Sequence, residues 1–150
     1  MKKIAHAVIA FAAVAAALPA AAQFQKPEDA VKYRQSSFYV MSQHFGRLGA
    51  MAAGKVPFDA KAAAENAAVV ETLSKLPWAG FVPGTEAIKS NAKAEVWAEK
   101  AKFDQGADKL RGEATKLAAA AKMGNLDALK TAFADTAATC KACHDSYKAK

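Results

Sequence analysis

The chain has 150 residues, a formal net charge of +7 at pH 7 and two cysteines. Basic and acidic residues are mixed along the sequence, with neither a basic block nor an alternation of basic and aromatic residues, and this excludes nucleic acid as an expected partner. The length suits a single domain that buries one hydrophobic core without disulfide bridges.

The N-terminal residues have the pattern of an export signal. Two lysines precede an apolar run from Ile4 to Leu18, and alanines at positions 20–22 provide a small-residue cleavage site. The run is shorter than the ~20 apolar residues that a membrane-spanning helix needs. We therefore predict that residues 1–22 are a cleaved signal peptide, and that residues 23–150 form a periplasmic domain with no part inserted in the membrane.

The first two helical segments are marked by the residues at their ends. Pro27 and the acidic residues after it suit the first turn of a helix, and Gly54 follows the last turn. Asp59 is the predicted N-cap of the second segment, which runs until Pro77. In both segments apolar residues recur at intervals of three and four, the spacing of an amphipathic helix.

Two further helical segments follow. The third runs from about Asn91 to Met123, after which Gly124 suits the left-handed position beyond a helix C-terminus. Asn125 is the predicted N-cap of the fourth. Because all four segments mix three- and four-residue spacings and no strand can be read between them, we predict an all-α fold, an antiparallel up-down four-helix bundle.

One connection between the predicted helices is unusually long. It runs from Pro77 to Ser90, whereas about 2–8 residues usually join the helices of a bundle. The connection contains Trp78 and Phe81, two large aromatic residues that a solvated loop does not need. We therefore expect this loop to cover an apolar site.

Both cysteines belong to the pattern C-x-x-C-H, which is the attachment signature of c-type haem. On a helix, positions i, i+3 and i+4 share one face. Cys140 and Cys143 can therefore bond to the two vinyl groups of one porphyrin while His144 turns its imidazole towards the iron. We predict one haem c, attached covalently through both cysteines near the end of the last helix, with His144 as the proximal iron ligand.

Other uses of a cysteine pair fit the sequence less well. A thioredoxin-type pair lies at the N-terminus of a helix that follows a strand, whereas this pair lies at the far end of a helix. A structural zinc ion needs four ligands, and the sequence after residue 22 offers only the two cysteines, His44 and His144. A disulfide between cysteines so close together closes almost no loop and would stabilise the fold little.

The placement of the haem motif on the last of four helices resembles class II c-type cytochromes, specifically the cytochrome c prime family. The resemblance covers residues 23–150. It rests on "QFQKPEDAVKYRQS" with "HFGR" in the first helix, "LPWAGFVPGTE" in the long loop and "CKACHDSYK" at the end. The resemblance implies the same four-helix bundle, and a homodimer formed through the first two helices.

The resemblance also implies how the iron is surrounded. His144 would be its single strong axial ligand, and Phe38 would lie over the opposite face, where members of the family commonly have leucine. Lys148 stands where the family usually has an arginine beside the proximal ligand. That departure puts a bidentate hydrogen-bonding role in doubt, because lysine is a point donor and lacks the planar fork of arginine.

The remaining pocket residues are likewise assigned from the resemblance. Three aromatic residues are expected to wall the pocket: Trp78, Phe81 and Phe103. Four polar residues are expected near the haem propionates: Arg34, Gln35, Thr85 and Glu86.

This surrounding implies a gas-binding function. Bound dioxygen gains stability from a distal hydrogen-bond donor, which Phe38 lacks, whereas nitric oxide and carbon monoxide depend on such a donor far less. We expect five-coordinate, high-spin iron that binds nitric oxide and carbon monoxide and excludes dioxygen. Protection against nitric oxide would be the main role, with electron transfer to an unspecified redox partner secondary. In this family nitric oxide weakens the bond to the proximal histidine, which directs attention to His144 and Lys148.

The main alternative is a low-spin electron carrier. Met41 lies one helical turn beyond Phe38 on the same apolar stripe, and its sulfur could bind the iron. Methionine ligation would raise the reduction potential and block gas binding. An enzyme such as a peroxidase would need a polar acid–base group on the distal side. The sequence offers none there, so we do not expect an enzyme.

Overall fold

The structure is a computed structural model that describes residues 23–149, in which four long helices pack as an antiparallel bundle. In chain order its elements are α1 (Pro27–Ala52), α2 (Ala60–Leu73), a single 3-10 turn (Pro77–Gly80), the short α3 (Glu95–Ala98), α4 (Lys100–Lys122) and α5 (Leu126–Tyr147). The predicted all-α bundle is confirmed. The predicted signal peptide lies outside the described residues. Within them, none of the helices is long and apolar enough to cross a membrane.

The helices begin and end largely where their terminal residues predict. The Oδ1 atom of Asp59 accepts a hydrogen bond from the backbone N–H of Ala62 at 2.9 Å, which caps α2. Asn125 caps α5 by accepting from the backbone N–H groups of Asp127 and Ala128. Gly124, with φ of +65°, takes the left-handed conformation after α4 that favours glycine.

Two predicted helix boundaries are wrong. The second helix ends at Leu73 rather than Pro77, and tight turns replace the helical hydrogen bonds between these residues. The cause is the proline ring, which disfavours helical backbone in the residue before it. The third predicted helix does not begin at Asn91. Residues 91–94 precede the single turn of α3, and α4 starts only after a break at Glu99, where φ is −115° and ψ is 39°.

The main core fills the centre of the bundle. Its largest fully buried side chains are Leu48, Leu117, Leu129 and Val70. Buried alanines line α2 and α4, and their small side chains let these helices approach closely: Ala63, Ala67, Ala114, Ala118 and Ala121.

The helices α1 and α5 meet at a stacked aromatic pair. The ring centroids of Phe45 and Phe133 are 4.3 Å apart, and the ring planes differ by 16°. A Cβ atom on Gly49 would lie 2.8 Å from the Phe133 ring, so glycine is needed for this approach. A second apolar cluster, built on Phe81, Val96 and Phe103, lies where α5 ends.

The loop after α2 packs directly on the backbone of α1. A Cβ atom on Gly80 would lie 2.5 Å from the carbonyl oxygen of Ala30 and 2.9 Å from Cβ of Arg34. Glycine at this position therefore lets the loop of residues 77–90, which we call the aromatic loop, lie against α1.

Replacing Gly80 by alanine should push the loop away from α1. We expect Gly80→Ala to lower the free energy of unfolding in urea by roughly 1–3 kcal/mol, as overpacking does elsewhere. Gly112→Ala in α4 is the control, because its Cβ would meet nothing within 4 Å. That control should gain roughly 0.5–1 kcal/mol from helix propensity. An equal gain in both variants would contradict the close contact.

Candidate cofactor site

A cavity of about 900 Å³ lies between α1, α4, α5 and the aromatic loop. This volume falls in the range of cofactor sites, roughly 300–1,000 Å³. Ten of the predicted site residues line it: Arg34, Gln35, Phe38, Trp78, Phe81, Phe103, Cys140, Cys143, His144 and Lys148. The structure does not bring Thr85 and Glu86 to the cavity wall.

The cysteines and the histidine lie on one face of α5. The helix continues to Tyr147, so the predicted spacing of Cys140, Cys143 and His144 holds to the end of the motif. Both cysteines are free and half-buried. Burial raises the pKa of each thiol, and the neighbouring Cys143 raises the pKa of Cys140 further. A reactive redox pair would instead have a lowered thiol pKa.

His144 lies where α5 approaches its end. Burial and the nearby Lys148 ammonium lower the pKa of its imidazole, against a smaller opposing effect of Asp145. These influences favour the neutral ring, which is the form that binds metals. The carbonyl oxygen of His144 accepts a hydrogen bond from the backbone N–H of Lys148 at 3.1 Å.

Aromatic rings form the wall that faces this helix. Phe38 and Trp78 meet edge to face with centroids 5.6 Å apart, and Trp78 meets Phe103 at the same separation. The indole N–H of Trp78 donates to the carbonyl oxygen of Ser74 at 2.6 Å, so its one polar hydrogen is already bonded. Met41, one turn beyond Phe38, is buried and also lines the cavity.

Arg34 is a buried cation at the edge of this wall, with only 2% of its surface exposed. Its guanidinium donates hydrogen bonds to the carbonyl oxygen of Gly80 at 2.8 Å, to Oγ1 of Thr85 at 3.0 Å and to Oγ of Ser90 at 3.1 Å. It also lies 4.4 Å from the ring centroid of Phe81. Burial lowers the pKa of Arg34.

The residues predicted near the haem propionates differ in how they relate to Arg34. Thr85 is fully buried behind the guanidinium and supports it, while Glu86 is exposed. All three hydrogen-bond acceptors of Arg34 are neutral oxygens, and a buried charge without a counter-charge is costly. An anionic group in the cavity would supply that counter-charge.

Sequence reasoning missed several residues of the cavity wall. Tyr147 lies four positions after Cys143, so the helical spacing that revealed the motif could have revealed it too. Gly106 exposes the backbone of α4, where a Cβ would meet nothing within 4 Å. Ser90 belongs to the long loop and Val96 to α3, and no local sequence pattern indicates that either lines the cavity.

The residues present fit a covalently attached haem. Two thiols and an imidazole share one face of α5, aromatic rings line the same cavity, and a buried guanidinium that has no acidic partner among residues 23–149 stands beside it. These features on a four-helix bundle define a c-type cytochrome of the class II architecture.

Known proteins agree with this class. Residues 29–148 match the family model described as Cytochrome C'. A cytochrome c' from Rubrivivax gelatinosus is 52% identical over 129 residues, which cover 85% of this chain and 100% of the relative. The crystal structure of cytochrome c' from this organism has a TM-score of 0.81, at 84% coverage of this chain and 99% of that one. The chain belongs to the cytochrome c' family, and it is a haem c protein of that family.

A second group of solved structures comes from Alcaligenes xylosoxidans. One is the nitric oxide complex of a cytochrome c prime mutant, 48% identical, with a TM-score of 0.80. The match with this structure covers 85% of this chain and 99% of the Alcaligenes xylosoxidans chain.

Removing the guanidinium of Arg34 should destabilise the aromatic loop. We expect Arg34→Met to lower the free energy of unfolding of the holoprotein by roughly 2–3 kcal/mol, because two buried oxygens and the partly buried Oγ of Ser90 lose their donor. Arg47→Met is the control, since Arg47 is exposed on the same helix and should stay within about 0.5 kcal/mol of the wild type. Urea titrations followed by circular dichroism measure both. Equal effects would contradict the role given to Arg34.

Proposed function

We propose that the chain is a periplasmic protein with one haem c, whose five-coordinate iron binds nitric oxide and carbon monoxide and excludes dioxygen. The observation that carries the proposal is that His144, on α5, and Phe38, packed against Trp78, line the same cavity. When bound, the haem would supply an iron centre capable of binding diatomic gases. The chain's residues hold this group and determine which gases it accepts.

Attachment is the task of the α5 face. Cys140 and Cys143 would each form one thioether to the porphyrin, and His144 would bind the iron through its neutral imidazole. Arg34 would stand beside a propionate and contribute a charge-assisted hydrogen bond. Lys148 and Gln35 line the cavity at exposed positions and are proposed to contact the cofactor there.

We attribute selectivity to Phe38 and to two neighbouring donors that are already hydrogen-bonded. Phe38 has no polar hydrogen, and the indole N–H of Trp78 is bonded to Ser74. The hydroxyl of Ser42, which also lines the cavity, donates to the carbonyl oxygen of Tyr39 at 2.7 Å. Dioxygen would therefore lack the donor that stabilises it, while nitric oxide and carbon monoxide would lose little.

Similarity supports the choice of nitric oxide. Structures of nitric oxide complexes exist for mutants of the Alcaligenes xylosoxidans protein, which is 48% identical to this chain. We infer a protective role against nitric oxide, with electron transfer secondary, and we propose no enzymatic activity. A homodimer through the first two helices is part of the proposal, supported by the exposed apolar side chains of Tyr39 and Val40 on α1.

A methionine-ligated electron carrier remains the second candidate, because Met41 is only 8% exposed and lines the cavity beyond Phe38. The ferric absorption spectrum at neutral pH separates the two functions. We expect a high-spin spectrum without a methionine–iron band, and the same spectrum from Met41→Leu. A low-spin spectrum that becomes high-spin in Met41→Leu would establish the electron carrier and refute gas binding.

Phe38 should control how fast gases reach the iron. We expect Phe38→Ala to raise the rate of carbon monoxide binding to the ferrous protein at least about tenfold, which corresponds to removing roughly 1.4 kcal/mol of steric barrier. Phe58→Ala is the matched control, since Phe58 packs on the main core away from the cavity. Stopped-flow absorbance measures both rates. An unchanged rate in Phe38→Ala would remove this ring from the ligand path.

A further inference from the structure

The end of α5, which carries His144, is capped in an unusual way. The last four carbonyl groups of an α-helix have no partner within the helix. In α5 the carbonyl of His144 accepts from the backbone N–H of Lys148 at 3.1 Å. The other three accept from one residue of a distant segment, Lys93. Its Nζ donates to the carbonyls of Asp145 at 3.1 Å and Ser146 at 3.3 Å, and its backbone N–H donates to that of Tyr147 at 2.9 Å.

Backbone pairing holds Lys93 in this place. The backbone N–H of Ala149 donates to the carbonyl of Asn91 at 2.9 Å, and Ala92 forms an antiparallel bridge with Lys148. We call residues 91–93 together with residues 147–149 the terminal clasp. The clasp explains why the third helix does not begin at Asn91, since these backbone groups bond to the end of α5 instead.

The clasp is anchored to the rest of the molecule. The side chain of Ala92 packs against the apolar cluster of Phe81, Val96 and Phe103. Its backbone N–H donates to Oγ of Ser90 at 3.4 Å, and the same oxygen accepts from Arg34. The end of α5 is thereby connected through Lys93 to the loop and to α1.

Lys93 differs from the other paired lysines of the described chain. Their ion pairs join residues three or four positions apart, for example Lys61 with Glu65 and Lys116 with Glu113. Lys93 reaches carbonyl groups 52 and 53 positions away. A cation at a helix C-terminus also interacts favourably with the helix dipole. Lys93 therefore acts on the helix end that bears the proximal histidine.

We infer that Lys93 is a positioning residue, which restrains the last turn of α5 and thereby fixes the orientation of His144 towards the iron. The carbonyl of His144 is the first of the four terminal carbonyls of α5 that accept hydrogen bonds from the clasp. Movement of the last turn of α5 therefore moves the imidazole with it. The inference rests on the proposed ligation of iron by His144. It does not depend on whether the opposite face of the iron is open.

The experiment uses the holoprotein and three variants. Lys93→Met removes the ammonium but keeps the methylenes and the backbone N–H, and Lys93→Arg restores a charged donor. Lys130→Met, an exposed lysine near the start of α5, is the control. Hydrogen exchange of the Lys148 amide reports on the helix end, and the paramagnetically shifted ring-proton resonances of His144 report on its orientation at the iron.

In Lys93→Met we expect Lys148 amide exchange to be about fivefold faster, equivalent to roughly 1 kcal/mol at 1.4 kcal/mol per factor of ten. We also expect the His144 resonances to move, with both effects largely reversed in Lys93→Arg and absent in Lys130→Met. Either change without the other, or no change, would overturn the inference. The His144 resonances are observable in high-spin and low-spin iron, so methionine ligation would refute the proposed gas binding yet leave this test intact.

Discussion

The single face of α5 that carries two thiols and an imidazole is the constraint on which the site depends. A flat ring held by Cys140 and Cys143, with its metal bound to His144 as we propose, would be fixed relative to this helix. Every other wall of the cavity must then accommodate that plane. The aromatic loop and the stripe of α1 around Phe38 supply apolar surface opposite the imidazole.

Arg34 has a structural role beside the proposed cofactor site. Its guanidinium binds three neutral oxygens and thereby fixes the loop that carries Trp78 and Phe81. The same buried charge would gain a counter-charge from a carboxylate in the cavity. One side chain thus fixes the shape of the pocket and, under our proposal, would also favour an anionic group there, with Gly80 permitting the close contact.

The sequence predicts the parts of this arrangement that depend on local periodicity. Helical spacing brings Cys140 and His144 to one face, and the caps at Asp59 and Asn125 follow from local hydrogen-bonding chemistry. Contacts between segments that are distant in the sequence produce no local pattern from which they could be predicted. The third helix begins later than predicted because the backbone near Lys93 bonds to α5 rather than to itself, and the hydrogen bond between Thr85 and Arg34 likewise joins segments that are distant in sequence.

The division of the interior into two clusters has a consequence for how the molecule loses its structure. Ala67 and Ala114 lie in the alanine-rich part of the main core away from the cavity, whereas Phe81 and Phe103 line the cavity. Close packing is worth more per residue than a lining with neighbours on one side. Before the cofactor is attached, opening should therefore begin at the aromatic end while the alanine-rich core stays packed.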